Sequence, residues 1–166
     1  PLHTHLAETE IEVENMVEAS GMRVMPYVNK QNLFDAKVIA AHCVHVDESE
    51  IRMLKRHNAG VAHNPSSNLK LASGAAPISE MIELGLKVGI GTDGPASNND
   101  LDMFEEVRLA SMLAKGVTGD PTTIPARTAL DMATRLGAQA LHLGHLAGSL
   151  EAGKRADLIL VDINPL

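Results

Sequence analysis

The stretch Val88-Gly89-Ile90-Gly91-Thr92-Asp93-Gly94 most constrains what this chain can fold into. β-branched apolar residues alternate with glycine and end on an aspartate, followed by a turn residue. That is the pattern of a buried strand with close backbone neighbours. A carboxylate at the C-terminal tip of an apolar strand is badly placed for packing and well placed for chemistry. Parallel α/β folds gather their active sites at those tips. Two further strand-like stretches end on histidine, Leu2-His3-Thr4-His5 and Val38-Ile39-Ala40-Ala41-His42. Two histidine tips and one aspartate tip point to a metal site that activates water.

Between the tips the hydrophobic pattern switches to helical spacing. Ile11, Val13, Met16 and Val17 among glutamates predict a helix over 9–19, stopped at Gly21. A short helix is expected from Pro26 toward Leu33. Asp47 with Glu50 three residues on reads as a capping box. A third strand is expected over 61–63, a polar loop over 64–68, a helix over 76–84, and the fourth strand over 87–92. A loop over 94–99, a long helix capped by Asp100 and running to about Ala114, and a helix from Pro125 to about Ala140 follow. The tail predicts two strands, 148–150 and 156–161, around a turn at 151–154. Alternating strands and helices imply a parallel sheet with right-handed crossovers.

The 166 residues suffice for one domain with its own core. A net charge of −7 excludes a nucleic-acid backbone or an anionic membrane as the main partner. Tyr27, Phe34 and Phe104 are the only aromatic residues, too few for a platform that stacks bases. Cys43 stands alone, so no internal disulfide forms, which fits a reducing, cytoplasmic setting. The chain opens on Pro1 with a strand already under way, as expected of a segment whose earlier part lies elsewhere.

Each candidate residue also has a structural reading. His5 and Glu8 form an H-x-x-E pair, equally the end of a strand and the acidic first turn of a helix. His3 shares a strand face with His5 and offers a second ligand or a packed ring. His45 reads as a loop histidine and Cys43 as a buried inert thiol. His63 opens His63-Asn64-Pro65-Ser66-Ser67-Asn68, which lines a pocket or bonds locally. Asp93 is the strongest single residue, although Gly-Thr-Asp-Gly is also a fair turn. His57, His142 and His145 are expected at the surface.

Four ordered motifs carry a family resemblance: His5-Leu6-Ala7-Glu8-Thr9, Ala41-His42-Cys43-Val44-His45, His63 to Leu71, and Gly91-Thr92-Asp93-Gly94 with Ser97-Asn98-Asn99. Together they resemble the amidohydrolase superfamily, and most closely its 5-methylthioadenosine/S-adenosylhomocysteine deaminases. The run Gly148 to Leu158 is similar to that family's return to a small β domain. The resemblance implies an α/β fold, the second half of a (β/α)8 barrel of the TIM type with about four βα units. Residues 1–146 would form the half-barrel and 147–166 strands of a small composite β domain.

The resemblance also implies roles. His5 and Asp93 would bind a divalent metal, zinc or alternatively Fe2+. Asp93 would shuttle the proton, His42 orient the hydrolytic water, and Glu8 handle the ring nitrogen of the base. His63, Asn64, Ser67 and Asn68, with Glu8 and Asp93, would contact substrate, a small-molecule purine nucleoside that is deaminated with release of ammonia. The family's H-x-H pair belongs to the first barrel strand, and His3-Thr4-His5 does not replace it, because Leu6-Ala7-Glu8-Thr9 marks strand five. The segment alone is therefore expected to be inactive, and to associate with itself or with the missing N-terminal half. Alternatives are a guanine, cytosine or triazine aminohydrolase or chlorohydrolase, a catalytically silent self-associating half-barrel, and a flavodoxin-like binding module.

Overall fold

A computed structural model describes residues 1–162. Four strands, β1 (Leu2–Leu6), β2 (Val38–His42), β3 (Gly60–His63) and β4 (Lys87–Ile90), form one parallel sheet in the order β1-β2-β3-β4. The helices are α1 (Glu10–Ser20), α2 (Val24–Lys30), α3 (Glu48–Arg56), α4 (Pro65–Lys70), α5 (Ile78–Glu83), α6 (Pro95–Asn98), α7 (Met103–Thr118), α8 (Ala126–Ala133) and α9 (Arg135–Ala140). Strands adjacent in sequence are adjacent in space throughout, with no reversal of order. That progression builds a (β/α)8 barrel, whereas a flavodoxin-like sheet requires a switch point. Among the described residues β1 and β4 each pair on one side only, so the molecule is a partial barrel.

The sheet has two unlike faces. Leu6, Val38, Ala40, Val61 and Val88 point one way into a core with Val24 and Met25 of α2, Ile51 and Leu54 of α3, Met81 of α5 and Ala110 of α7. These side chains are almost fully buried, worth roughly 1.5–3 kcal/mol for each large one. By the strand alternation and register, His3, His5, Ile39, Ala41, Gly60, Ala62 and Gly89 lie on the other face. Small residues there admit α9. A Cβ at Gly60 would lie 2.0 Å from the Ala140 carbonyl oxygen, and one at Gly89 2.9 Å from Gly137 Cα. On the same face His5 lies near the C-terminal end of the edge strand β1.

Local signals explain the helix ends. Thr9 accepts the Glu12 amide and caps α1, and Gly21 closes it at φ 71°. Asp47 and Glu50 form the expected capping box of α3. Glu50 is also buried, accepting from Arg23 Nε at 2.9 Å and the Met25 amide at 3.2 Å, so it ties α2 to α3 as well.

Several expectations change. Residues 65–70 are helix α4, not a loop, because Pro65 starts the first turn without sacrificing a hydrogen bond. Residues 95–98 form α6 for the same reason at Pro95. Asp102, not Asp100, caps α7, which runs on to Thr118 until Gly119 adopts φ 68°. The helix expected over 125–140 is broken into α8 and α9 at Thr134. Residues 148–150 and 156–161 form no strand among the described residues; Leu158, Ile159 and Leu160 are 64–98% exposed, with no ladder partner. The end of the expected β element, 163–166, lies outside the described residues. No described helix is long and apolar enough to cross a membrane.

Candidate active site

Three strand tips turn in the left-handed region of backbone space. Ala7 has φ 52°, His42 φ 69° and Asp93 φ 58°. Non-glycine residues adopt such angles at a cost of order 1 kcal/mol or more, and such strain concentrates where side chains must be aimed. At the β1 tip the angle is held by Glu12 of α1. Its carboxylate accepts the Ala7 amide at 2.9 Å and the Glu8 amide at 2.7 Å.

The tips bring His5, His42 and Asp93 together, with one ligand-type atom from each lying within 4.8 Å of the others. His5 Nε2 is 3.7 Å from Asp93 Oδ1, and its Nδ1 is 3.7 Å from Glu8 Oε2. The His5 and His42 rings meet edge to face at 4.5 Å. His42 is fully buried, and its Nδ1 lies 2.7 Å from Asn68 Oδ1. An amide oxygen only accepts, so Nδ1 carries the proton and donates, leaving the Nε2 lone pair for the site. Nε2 has no hydrogen-bond partner, and its nearest carboxylate oxygen, on Glu8, is 3.6 Å away, beyond hydrogen-bond range.

Asp93 differs at its two oxygens. Oδ2 accepts from Ser67 Oγ at 2.8 Å and from Ser97 Oγ at 2.6 Å, while Oδ1 faces His5. Burial pushes this carboxyl up, but the hydrogen bonds from Ser97, Ser67 and the Gly94 amide, with His42 nearby, outweigh it. The carboxyl is held below its usual range and stays ionised. Glu8 is half-buried beside both histidines, and the Ser73 hydroxyl reaches its Oε1 at 3.4 Å.

The remaining sequence candidates divide. Asn68 orients His42, and Ser67 holds Asp93. The Asn64 side chain lies where Gly91 leaves room, since a Cβ there would be 2.4 Å from Asn64 Oδ1. His63 is buried with neither ring nitrogen hydrogen-bonded, beside a cavity of about 170 Å³ lined by Ile78, Leu113 and Val117. Burial, and then the neighbouring His42, push its pKa down to about 4. His3 is exposed and outside the cluster. Cys43 is buried, and burial with Glu50 nearby raises its thiol, leaving it inert. His57 and His145 are exposed as expected, whereas His142 is half-buried and reaches the Val38 carbonyl.

Sequence reasoning gave no site role to Glu12, Ser97 or Glu106, although Ser97 stood in the fourth motif. Ser97 was findable, four residues after Asp93 and after a proline that starts a helical turn. Glu12 and Glu106 read as first-turn glutamates favoured by the helix dipole.

A parallel βα sheet with histidine and carboxylate side chains collected at its C-terminal tips is the arrangement of barrel enzymes. The family profile described as "Amidohydrolase family" matches residues 1–166. The chain belongs to the amidohydrolase family. It is 54% identical over 163 residues to the 5-methylthioadenosine/S-adenosylhomocysteine deaminase of Dictyoglomus thermophilum, covering 98% of this chain and 38% of that protein. It is 57% identical over 162 residues to the protein of the same name from Moorella thermoacetica, again covering 98% and 38%. The chain thus spans little more than a third of the relatives it matches. A crystal structure of a zinc-bound adenosine deaminase from Xanthomonas campestris superposes with a TM-score of 0.91 at 44% identity, over 95% of this chain and 36% of that one. A guanine deaminase from C. acetobutylicum with bound guanine gives 0.81 at 26% identity, over 92% and 37%.

Proposed function

We propose that this chain is the second half of an amidohydrolase barrel whose complete form deaminates an adenine-type purine nucleoside, 5-methylthioadenosine or S-adenosylhomocysteine, with water. The carrying observation is the convergence of His5, His42 and Asp93 beside Glu8. The names and zinc-bound state of the relatives support the same reading.

The donor set suits a divalent metal. The His5 imidazole and the Asp93 carboxylate are ligands that zinc accepts, and beside them His42 Nε2 is a buried atom left without a hydrogen bond. His5 and Asp93 would hold the ion, zinc or Fe2+. When bound, the ion supplies acidity, bringing the pKa of a water it holds to about 7.

The side chains do the rest. His42 accepts a hydrogen bond at Nε2 from the attacking water and keeps it in line, because Nδ1 is committed to Asn68. Asp93, ionised and free at Oδ1, takes the water's proton. The oxygen adds to the amino-bearing ring carbon while Glu8 delivers a proton to the adjacent ring nitrogen. Asp93 then returns a proton to the amino group, the C–N bond breaks and ammonia leaves, and the proton still on the added oxygen passes to Glu8 in place of the one it gave up. His63, Asn64, Ser67 and Asn68 line the substrate side of the site, with Ser67 and Asn68 acting through Asp93 and His42.

Two protein ligands fall short of the three that catalytic zinc usually has, so this chain alone binds metal weakly and turns over no substrate. The test is Glu8→Gln and Asp93→Asn in the complete barrel, with ammonia release from methylthioadenosine as the readout. Each should cost about 10²–10⁴ in rate. Retained turnover in either variant contradicts the role of that carboxyl in proton transfer. The guanine deaminase neighbour favours a second reading, an aminohydrolase of another base. Activity on guanine exceeding that on methylthioadenosine would establish it.

A further inference from the structure

A third carboxyl group stands behind the cluster and takes no part in the proton transfers of Glu8 and Asp93. Glu106, in the first turn of α7, is 1% exposed, and no cation pairs with it among the described residues. Both its oxygens are used. Oε2 accepts the Ser66 amide at 3.1 Å, and Oε1 accepts Asn98 Nδ2 at 2.6 Å. The two donors belong to different segments: Ser66 to α4, after the β3 tip, and Asn98 to α6, after the β4 tip.

The residues next to those donors are Ser67 and Ser97, whose hydroxyls both donate to Asp93 Oδ2. Glu106 therefore grips α4 and α6 one residue from each serine. Both segments are short, six and four residues, and lack a side-chain cap of their own. Helices of that length hold no geometry without outside contacts. The Asn98 Oδ1 atom accepts the Leu101 amide at 2.9 Å, which ties the same grip to the start of α7.

We propose that Glu106 is a positioning residue for Asp93: by clamping α4 to α6 it sets the two serine hydroxyls on Oδ2 and turns Oδ1 toward His5 as the free ligand atom. Its effect runs through Ser67 and Ser97, not through contact with substrate. The proposal rests on the reading of Asp93 as a cation ligand.

The test is titration of this chain with Co2+, which reports ligand geometry in its visible absorption. The variants are Glu106→Gln, Ser97→Ala and the double variant, with Asp93→Ala and Glu50→Gln as controls. Glu50 is an equally buried carboxyl remote from the tips. Expected are a loss of Co2+ affinity of about tenfold or more and a changed spectrum in Glu106→Gln. The double variant should be no weaker than the worse single one, because both act on one chain of contacts. Glu50→Gln should lower the melting temperature without moving Co2+ affinity. If Glu106→Gln does not fold by circular dichroism, Asn98→Ala cuts the α6 arm while leaving α4 held, and should weaken Co2+ in the same direction. Affinity and spectrum unchanged in Glu106→Gln, or effects that add to those of Ser97→Ala, overturn the clamp alone. Co2+ binding indifferent to Asp93→Ala overturns the reading of the site and the clamp with it.

Discussion

His42 Nδ1 lies 2.7 Å from Asn68 Oδ1, and that single contact decides which nitrogen of the fully buried imidazole faces the strand tips. Partners of this kind fix the tautomer of a site histidine and commonly carry 10–100-fold in affinity or activity. Asn68→Leu should therefore lower the turnover of the complete barrel by about 10–100-fold. It should also cost about 1–3 kcal/mol, because a buried N–H is left unpaired. Turnover assays with a parallel urea melt check both, and unchanged turnover would refute the orienting role.

Two glycines separate close packing from open space. Gly60→Ala drives a methyl into the Ala140 backbone, where α9 has no flexible side chain to yield. The cost should be about 1–3 kcal/mol or more. At Gly116, inside α7, an added Cβ meets nothing within 4 Å. Gly116→Ala should instead stabilise by about 0.5–1 kcal/mol. Urea denaturation of the pair gives opposite signs if α9 seats on the sheet as described.

The buried His63 makes stability depend on pH. Its pKa is about 4 in the folded chain against an ordinary value of 6.5. Between those values the unfolded chain holds a proton that the folded chain refuses, so the unfolded state binds more protons there. This group's contribution is full above pH 6.5, falls as pH drops from 6.5 to about 4, and falls no further below. In cation-free buffer, His63→Gln should flatten that part of the stability profile. An unchanged slope would place the acid sensitivity elsewhere.

The strand tips were legible because strands and chemistry coincide in them: strand-like stretches end on His5, His42 and Asp93, polar residues that packing does not call for. The helix signals at Asp47 and Gly21 were legible because they are local. Residues 65–70 and 95–98 were not, since serine and asparagine favour loops and helices there are held by tertiary contacts such as those of Glu106. The same holds for Thr134, where the chain must bend for α9 to reach Gly60 and Gly89. The tail's alternation is real, but a strand needs a neighbour to bond to, and residues 156–161 have none among the described residues.

Everything proposed for the site depends on His5 and Asp93, with His42 beside them, being the cation site of an amidohydrolase barrel. Calorimetric titration of the purified chain with Zn2+, beside His5→Ala and Asp93→Ala, decides it. Weak binding of one ion is expected, reduced at least about tenfold by either substitution, as follows when one of few ligands is lost. Zn2+ binding of equal strength in all three proteins, or none in any, would contradict it.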